Sequence, residues 1–237
     1  MPADLSAQAR PTTLRPGIRT YKPRRSRMSD RERRALDEQA DLLLPATAAR
    51  LDLAATWGAG VPVVMEIGFG SGAATAAMAA ADPGTGILAV DVHTPGVGDL
   101  LWRLGRDGLT HVRVMEADAL AVLELMIEPH ALAGVRSFFP DPWPKARHHK
   151  RRLVQPNVMD LISSRLAPGG YWHLATDWAE YAEAMQAHFA ADARWTGGII
   201  DRPAGRPVTH YERRALRDGR TITDLLYVTV PSSSLRA

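Results

Sequence analysis

The sequence of 237 residues contains no cysteine. Without a thiolate, the chain cannot form a disulfide, bind zinc or an iron–sulfur cluster through cysteine, or attack a substrate with a cysteine nucleophile. Three kinds of nucleic-acid chemistry are therefore excluded: radical chemistry at an iron–sulfur centre, zinc deamination through paired cysteines, and thiolate attack on a pyrimidine. His148 and His149 have no partner at ligand spacing, so we expect no metal site.

Long apolar runs are missing too. No stretch approaches the roughly 18 consecutive apolar residues that a membrane span needs, and residues 1–17 lack the apolar region of a secretory signal. Hydrophobic residues make up 46% of the chain and charged residues 23%, close to the average of soluble domains. The composition predicts a soluble, cytoplasmic protein without a membrane partner, and it leaves open whether the protein is a monomer or a homodimer.

Positive charge is low overall but concentrated. The net charge is +3, yet residues 15–34, 145–152 and 213–220 together carry 18 of the 29 lysines and arginines, which leaves the rest acidic. Clustered cations displace counterions from a phosphate backbone, so this pattern predicts a nucleic-acid partner. Solvated charge on unrelated surfaces is the alternative. We predict a basic, flexible N-terminal arm over residues 1–34 and one domain over residues 35–237.

Short apolar runs alternate with amphipathic stretches after about residue 60. Strands are predicted at 63–67, 86–92, 111–115, 134–139, 170–176 and 223–230, and helices at 71–81, 97–106, 119–127, 151–166 and 178–191. A repeated strand–helix order is typical of a mostly parallel, doubly wound α/β sheet with helices on both faces.

A glycine-rich segment, EIGFGSG, follows the first predicted strand and opens a helix. Gly68 and Gly70 permit a tight turn and a close approach of the backbone to a ligand. Such a loop occurs in nicotinamide, flavin and adenosylmethionine sites alike, so the loop alone does not identify the ligand.

Acidic residues lie at or just after the ends of the first three predicted strands. Glu66 would repel a pyrophosphate but suits a cationic amino group or sulfonium. Asp91 is placed to accept ribose hydroxyls. Asp118 is placed to accept from an adenine amino group, or else it only caps the helix that follows. Together these acids indicate an adenosylmethionine pocket more than an NAD pocket.

The most specific segment is SFFPDPWPKARHHKRR, at 137–152. Its three prolines stiffen the loop that carries Asp141 and Trp143. A carboxylate and a large ring at the end of the fourth strand can bind a flat heterocycle, and the cations at 145–152 can bind phosphates. The alternative is that Trp143 merely covers the core.

Two later segments have both a functional and a structural interpretation. In ATDW, at 175–178, Asp177 could face the same crevice as Asp141, or Thr176 or Asp177 could cap the next helix. In VTHYERR, at 208–214, Thr209, Tyr211 and Glu212 could contact a base and its backbone, or form a plain turn.

These motifs, together with DVHTPGVG at 91–98 and the basic RRSRM at 24–28, resemble the bacterial tRNA (guanine-N7-)-methyltransferase family in order and spacing. The resemblance implies a class I methyltransferase fold of seven strands, S-adenosyl-L-methionine as cofactor, and the variable-loop guanine at position 46 of tRNA as methyl acceptor. It implies that the cofactor is bound by Glu66, Gly68, Gly70, Asp91 and Asp118, that Asp141 is catalytic, and that tRNA is bound by Lys145, Asp177, Thr209, His210, Tyr211 and Glu212. Asp91 stands where many relatives carry glutamate.

Three competing interpretations remain at this point. A methyltransferase acting on an exocyclic amine would also use an Asp-Pro-aromatic loop. An NAD-dependent dehydrogenase would have no use for Glu66 or the proline-rich loop. A non-catalytic RNA-binding protein would not need acids at all three strand ends.

Overall fold

Seven strands form one mixed sheet in the part of the chain that the computed structural model describes, namely residues 20–21, 27–47 and 49–230. The strands are β1 (Val63–Ile67), β2 (Gly86–Asp91), β3 (Val112–Glu116), β4 (Leu132–Phe138), β5 (Leu166–Thr176), β6 (Trp195–Ile200) and β7 (Thr223–Thr229). Their order is β3-β2-β1-β4-β5-β7-β6, and within these residues β7 is the one strand that runs opposite to the others. The predicted doubly wound, mostly parallel sheet is confirmed.

Helices connect the strands. They are α1 (Asp30–Glu38), α2 (Leu53–Trp57), α3 (Ala73–Ala81), α4 (Thr94–Asp107), α5 (Ala119–Leu125), α6 (Pro156–Arg165), α7 (Ala179–Ala190) and α8 (His210–Arg217). Short 3-10 helices cover Ala40–Leu42 and Ala146–Arg151. None of the helices within the described residues is long and apolar enough to cross a bilayer.

An apolar layer packs against each face of the sheet. Because side chains alternate along a strand, Met65 of β1 and Leu88 of β2 join one buried cluster, while Ile87 and Ala89 of β2 join another. The central strands are therefore buried on both faces, as parallel strands covered by helices must be. The chain leaves β1 toward β3 on one side and returns to β4 on the other. This reversal opens a crevice at the carboxyl ends of β1 and β4.

Several elements differ from the sequence-based expectation. Strand β6 and helices α1, α2 and α8 were not predicted, and the helix expected from residue 151 begins only at Pro156, after the 3-10 turn. Proline is favoured in the first turn of a helix because its missing N–H would have no helical partner there.

Helix α1 crosses the boundary proposed between arm and domain. It begins at Asp30 with a capping box, in which the Ser29 hydroxyl accepts from the Glu32 N–H and the Glu32 carboxylate accepts from the Ser29 N–H. Its buried residue Ala35 joins the cluster around α4. The expected boundary at residue 34 therefore falls inside a helix that is packed on the domain.

Candidate active site

One open cleft lies at the carboxyl ends of β1, β2, β3 and β4. Part of its wall comes from the first three strand ends and the loops after them, namely Ile67, Gly68, Gly70, Val90, Asp91, Val92, His93, Ala117, Asp118, Ala119 and Leu120. The other part comes from Thr20, Tyr21, Phe138, Phe139, Pro140, Asp141, Leu153 and Tyr211. The cleft lies at the reversal of strand order, where open α/β sheets bind ligands.

The glycine-rich loop forms the floor between β1 and α3. Gly68 and Gly70 have φ of 77° and 63°, in the left-handed region that side chains disfavour. Helix α4 also approaches this loop closely, because a Cβ atom built on Gly96 would lie 2.0 Å from the carbonyl oxygen of Gly70. The loop therefore presents bare backbone to the cleft, as predicted.

Asp91, at the end of β2, is bound tightly to the loop backbone. Its Oδ2 accepts from the Gly70 N–H at 2.8 Å, and its Oδ1 accepts from Val92 and His93 at 2.7 and 3.0 Å. Burial raises the pKa of this carboxyl, and the three backbone hydrogen bonds oppose that rise. A carboxylate has about four acceptor positions. Asp91 thus retains capacity for about one further donor while these bonds persist.

Asp118 lines the cleft and also caps α5. Its Oδ1 accepts from the Leu120 N–H at 2.9 Å, which was the structural alternative considered for this residue. The two interpretations are compatible, since Asp118 lines the cleft while one of its carboxylate oxygens caps the helix.

Glu66 lies beneath the cleft and does not line it. Only 3% of its surface is exposed, and its Oε2 has no hydrogen-bond partner among the described residues. Burial raises its pKa to about 7, while the neighbouring Arg136 guanidinium and the Thr75 hydroxyl oppose the rise. Glu66 is paired in register with Arg136 of β4.

The proline-rich loop brings Asp141 into the cleft. Phe139 and Trp143, two residues on either side of Asp141, have φ of 55° and 44°, which is unusual for bulky residues. The Trp143 ring does not lie in the cleft: it is buried, and its Nε1 donates to the Thr20 carbonyl oxygen at 3.1 Å. The alternative interpretation of Trp143, as a core-covering side chain, is therefore the one the structure supports.

Helix α8 supplies the remaining aromatic wall. Tyr211 faces the cleft and stacks near Phe139, with ring centroids 6.3 Å apart. The Thr209 hydroxyl accepts from the Glu212 N–H at 3.0 Å and so caps α8. His210 is the first residue of α8, and its side chain lies outside what the structure describes.

Glu212 is buried in an ion-pair network instead of facing the cleft. Its Oε2 accepts from Nη1 of Arg206 at 2.6 Å, and Arg206 makes two further bonds to Asp224 of β7 at 2.6 and 2.7 Å. Asp224 in turn lies 3.0 Å from Nε2 of His173 in β5. This network fastens α8, and with it Tyr211, to the sheet.

Lys145 and Asp177 also lie outside the cleft wall. Lys145 is exposed at the start of the Ala146–Arg151 turn. Asp177 forms an ion pair with Arg220, which also binds Asp218 at 2.8 Å. Neither Thr176 nor Asp177 caps α7, whose N-cap position is Trp178 and which has no side-chain capping bond within the described residues. The Thr176 hydroxyl accepts from the Trp178 N–H at 3.2 Å.

The basic segments differ in how exposed their cations are. Lys145, Arg147 and Lys150 are exposed, whereas Arg152 is buried and bonded within the protein. Arg24 and Arg25, in the basic RRSRM stretch, lie outside the described residues.

Sequence reasoning missed several cleft residues: Thr20, Tyr21, His93, Phe138, Phe139 and Leu153. Phe138 and Phe139 carry a signal that could have found them, because they immediately precede the proline-rich loop at the strand end. Thr20 and Tyr21 carry none, since their place depends on a contact more than 100 residues away in sequence.

The cleft suits the adenosylmethionine that the family resemblance implies. Bare backbone at Gly68 and Gly70 leaves room for a ligand, apolar side chains at Ile67, Val90 and Ala117 can face a flat ring, and Asp91 and Asp118 are acceptors for hydroxyl and amino groups. Within the described residues, no group of three or more histidine, aspartate or glutamate side chains is placed to hold a metal ion.

Comparison with known sequences agrees with this geometry. A family model described as "Putative methyltransferase" matches residues 61–225. The chain is 48% identical over 216 residues to the tRNA (guanine-N(7)-)-methyltransferase of Streptomyces avermitilis, covering 89% of this chain and 74% of that one. It is 46% identical over 217 residues to the enzyme of the same name from Thiobacillus denitrificans, covering 90% and 96%.

Solved structures with the same fold are more distant in sequence. The antibiotic-resistance methyltransferase Kmr superposes with a TM-score of 0.53 at 18% identity, covering 76% of this chain and 92% of that one. A 16S rRNA (adenine(1408)-N(1))-methyltransferase from Catenulisporales acidiphilia, solved with the cosubstrate SAM, gives 0.53 at 15% identity, covering 77% and 94%. These likenesses establish the class I methyltransferase fold.

Proposed function

We propose that this chain methylates N7 of the guanine at position 46 in the variable loop of tRNA. It belongs to the tRNA (guanine-N(7)-)-methyltransferase family. One arrangement supports this proposal more than any other. Asp91 and Asp118, expected on the cofactor, share a single cleft with Asp141 and Tyr211, expected near the acceptor base.

Four residues would contact S-adenosyl-L-methionine: Gly68 and Gly70 through their backbone, and Asp91 and Asp118 through their carboxylates. The buried Glu66 would act on the cofactor only through its charge. When bound, the cofactor supplies an electrophilic methyl group on a sulfonium. The Asp91 carboxylate accepts from the ribose, with the one acceptor position that its backbone bonds leave. A cationic ligand above the loop would favour the ionised form of the buried Glu66.

Asp141 acts on the acceptor guanine, but it does not need to remove a proton from it. Guanine N7 carries an in-plane lone pair, so it needs no deprotonation before it is methylated. The base becomes cationic on methylation, and a carboxylate in the cleft stabilises that charge where it develops. A carboxylate can also accept from two guanine donors together, which would orient the ring. We therefore assign Asp141 to binding and charge stabilisation, with Tyr211 and Phe139 as apolar walls for the ring.

The tRNA backbone is expected to lie across the exposed cations near the cleft. Lys145, Arg147 and Lys150 stand on the turn that follows the Asp141 loop, where they can contact phosphates. We further propose that the basic residues that precede α1 contact tRNA, and that the protein works in the cytoplasm, where tRNA is modified.

Methyl transfer from labelled S-adenosyl-L-methionine to unmodified tRNA, followed by nucleoside mapping, tests the proposal. We expect 7-methylguanosine at position 46, and no product from a tRNA with adenine at that position. Label in an N2-methylguanosine or N6-methyladenosine instead would assign the cleft to exocyclic-amine chemistry. Binding of tRNA without any label transfer would indicate a non-catalytic protein.

A further inference from the structure

Arg152 is a buried arginine in the middle of the most basic segment. Its side chain is 2% exposed, whereas its partner Glu180 of α7 is 51% exposed. Arg152 donates to both carboxylate oxygens of Glu180, at 2.9 Å through Nη1 and at a shorter distance through Nη2. Its guanidinium also lies over the Tyr181 ring, 4.7 Å from the centroid. An arginine enclosed in this way is not free to bind a phosphate.

Arg152 also donates to the loop that carries Asp141. Its Nε donates to the carbonyl oxygen of Pro142 at 2.9 Å, one residue after Asp141. A second contact, from Nη2 to Nε2 of His149 at 3.0 Å, joins the guanidinium to the turn that follows the loop. Arg152 thus links the loop backbone to helix α7.

This loop needs such a link because its backbone is strained. Phe139 and Trp143 both adopt left-handed φ, a backbone conformation that residues with a side chain disfavour. Strain of this kind persists only where surrounding contacts hold the backbone in place. Arg152 provides one such contact, because it donates to the Pro142 carbonyl oxygen, between Asp141 and Trp143.

We propose that Arg152 is a positioning residue for the methyl transfer: it holds the strained loop so that Asp141 faces the acceptor base. This inference rests on the proposed role of Asp141. It also corrects the expectation that all five cations of residues 145–152 bind phosphates, because Arg152 is turned inward.

The test compares Arg152→Met and Arg152→Lys with the wild-type protein. Methionine keeps an apolar stem of similar length but has no donors, and lysine keeps the charge but cannot serve Pro142 and Glu180 together with a planar fork. We expect kcat for guanine methylation to fall about 10- to 100-fold in both, while Kd for S-adenosyl-L-methionine stays within about threefold. The salt dependence of tRNA binding should be unchanged, whereas Lys150→Met should lower the log–log slope by about one.

A double-mutant cycle separates positioning from a general loss of structure. If Arg152 acts through Asp141, then Arg152→Met in an Asp141→Asn background should change kcat by less than about threefold. Arg194→Met is the control, because Arg194 is likewise paired with carboxylates, those of Asp160 and Asp192, but lies outside the cleft. It should leave kcat unchanged.

A wild-type kcat in both Arg152 variants would overturn the inference, and so would effects of Arg152→Met and Asp141→Asn that simply multiply. A lowered salt slope in Arg152→Met would also overturn it, because that would make Arg152 a phosphate contact. Failure of the proposed function is a separate outcome, recognised by the absence of 7-methylguanosine with the wild-type protein.

Discussion

Replacement of Glu66 by glutamine is the perturbation whose size the structure defines most directly. Glu66 is 3% exposed, and burial raises its pKa to about 7 from an ordinary value of 4.5. A carboxyl whose pKa is raised on folding stabilises the folded state fully below its unfolded pKa, and that stabilisation is lost as pH rises through the folded pKa. Each pKa unit corresponds to about 1.4 kcal/mol. The wild-type protein should therefore lose about 2.5 kcal/mol of this contribution between about pH 5 and pH 8.

Glutamine at position 66 cannot ionise, so Glu66→Gln should lack this pH dependence. The assay is urea unfolding of both proteins without cofactor at several pH values, because the difference between their free energies of unfolding isolates the single group. Relative to wild type, Glu66→Gln should gain about 2–3 kcal/mol as the pH is raised from 5 to 8. A difference that stays constant across this range would refute the raised pKa and the dry surroundings inferred for Glu66.

The same variant tests whether Glu66 serves the cofactor. A cationic group above the loop favours the ionised carboxylate, so wild-type binding of S-adenosyl-L-methionine should release protons near pH 6.5 and strengthen toward pH 8. Calorimetry in buffers with different ionisation enthalpies measures that release. If wild type and Glu66→Gln bind with the same affinity and the same proton release, Glu66 supports only the fold.

Three further predictions concern the two halves of the cleft and the arm. Asp91→Ala should weaken S-adenosyl-L-methionine binding about 10- to 100-fold by calorimetry, because a charged acceptor is lost, and unchanged affinity would remove Asp91 from the site. Asp141→Asn should lower the single-turnover rate on guanine about 100-fold with cofactor affinity within about threefold, and a wild-type rate would contradict its assignment. Neutralising Arg24, Arg25 and Arg27 together should lower the salt slope of tRNA binding by about two to three, whereas an unchanged slope would mean that these arginines contact no phosphate.

The parallel core was predictable because its strands are short and mostly apolar. Strand β6 was not, since its sequence WTGGII carries two glycines and its side chains are mostly exposed or half-buried. Its place is determined by pairing with β7, a partner about 30 residues away along the chain. A strand that depends on a distant neighbour for its stability leaves only a weak local pattern.

Two unpredicted helices, α1 and α8, carry a local signal that periodicity does not detect. Each buries little apolar surface, and each begins with a hydroxyl residue followed three positions later by glutamate: Ser29 with Glu32, and Thr209 with Glu212. In α1 both halves of the capping box are present. In α8 the hydroxyl caps the helix but the Glu212 carboxylate turns to Arg206. The sequence pattern is enough to predict where both helices begin. It does not predict that the Glu212 carboxylate binds Arg206.

The positions of site residues at the strand ends could be predicted, because the sheet determines them. The positions of residues that are held by an ion pair were harder to predict. Asp91, Asp118 and Asp141 follow strands at one edge, so topology alone brings them together. Asp177 and Glu212 were expected to face tRNA, yet Arg220 and Arg206 bind them. These pairs join residues whose proximity no local pattern encodes.

The same partners limit how far a charge count can predict tRNA binding. Arg152 is enclosed by Glu180, and Arg220 is shared between Asp177 and Asp218. Arg31 and Arg33 are paired with Asp99 and Asp30, so at least four of the cations counted in the basic segments already have a carboxylate partner within the protein. Only cations that exchange a counterion for a phosphate contribute to the salt slope, at about 0.7–0.9 per contact. The measured slope should therefore fall short of the number of basic residues in the three segments. The positions that reduce it on mutation should be exposed ones such as Lys145 and Lys150, because these have their surface available to a phosphate.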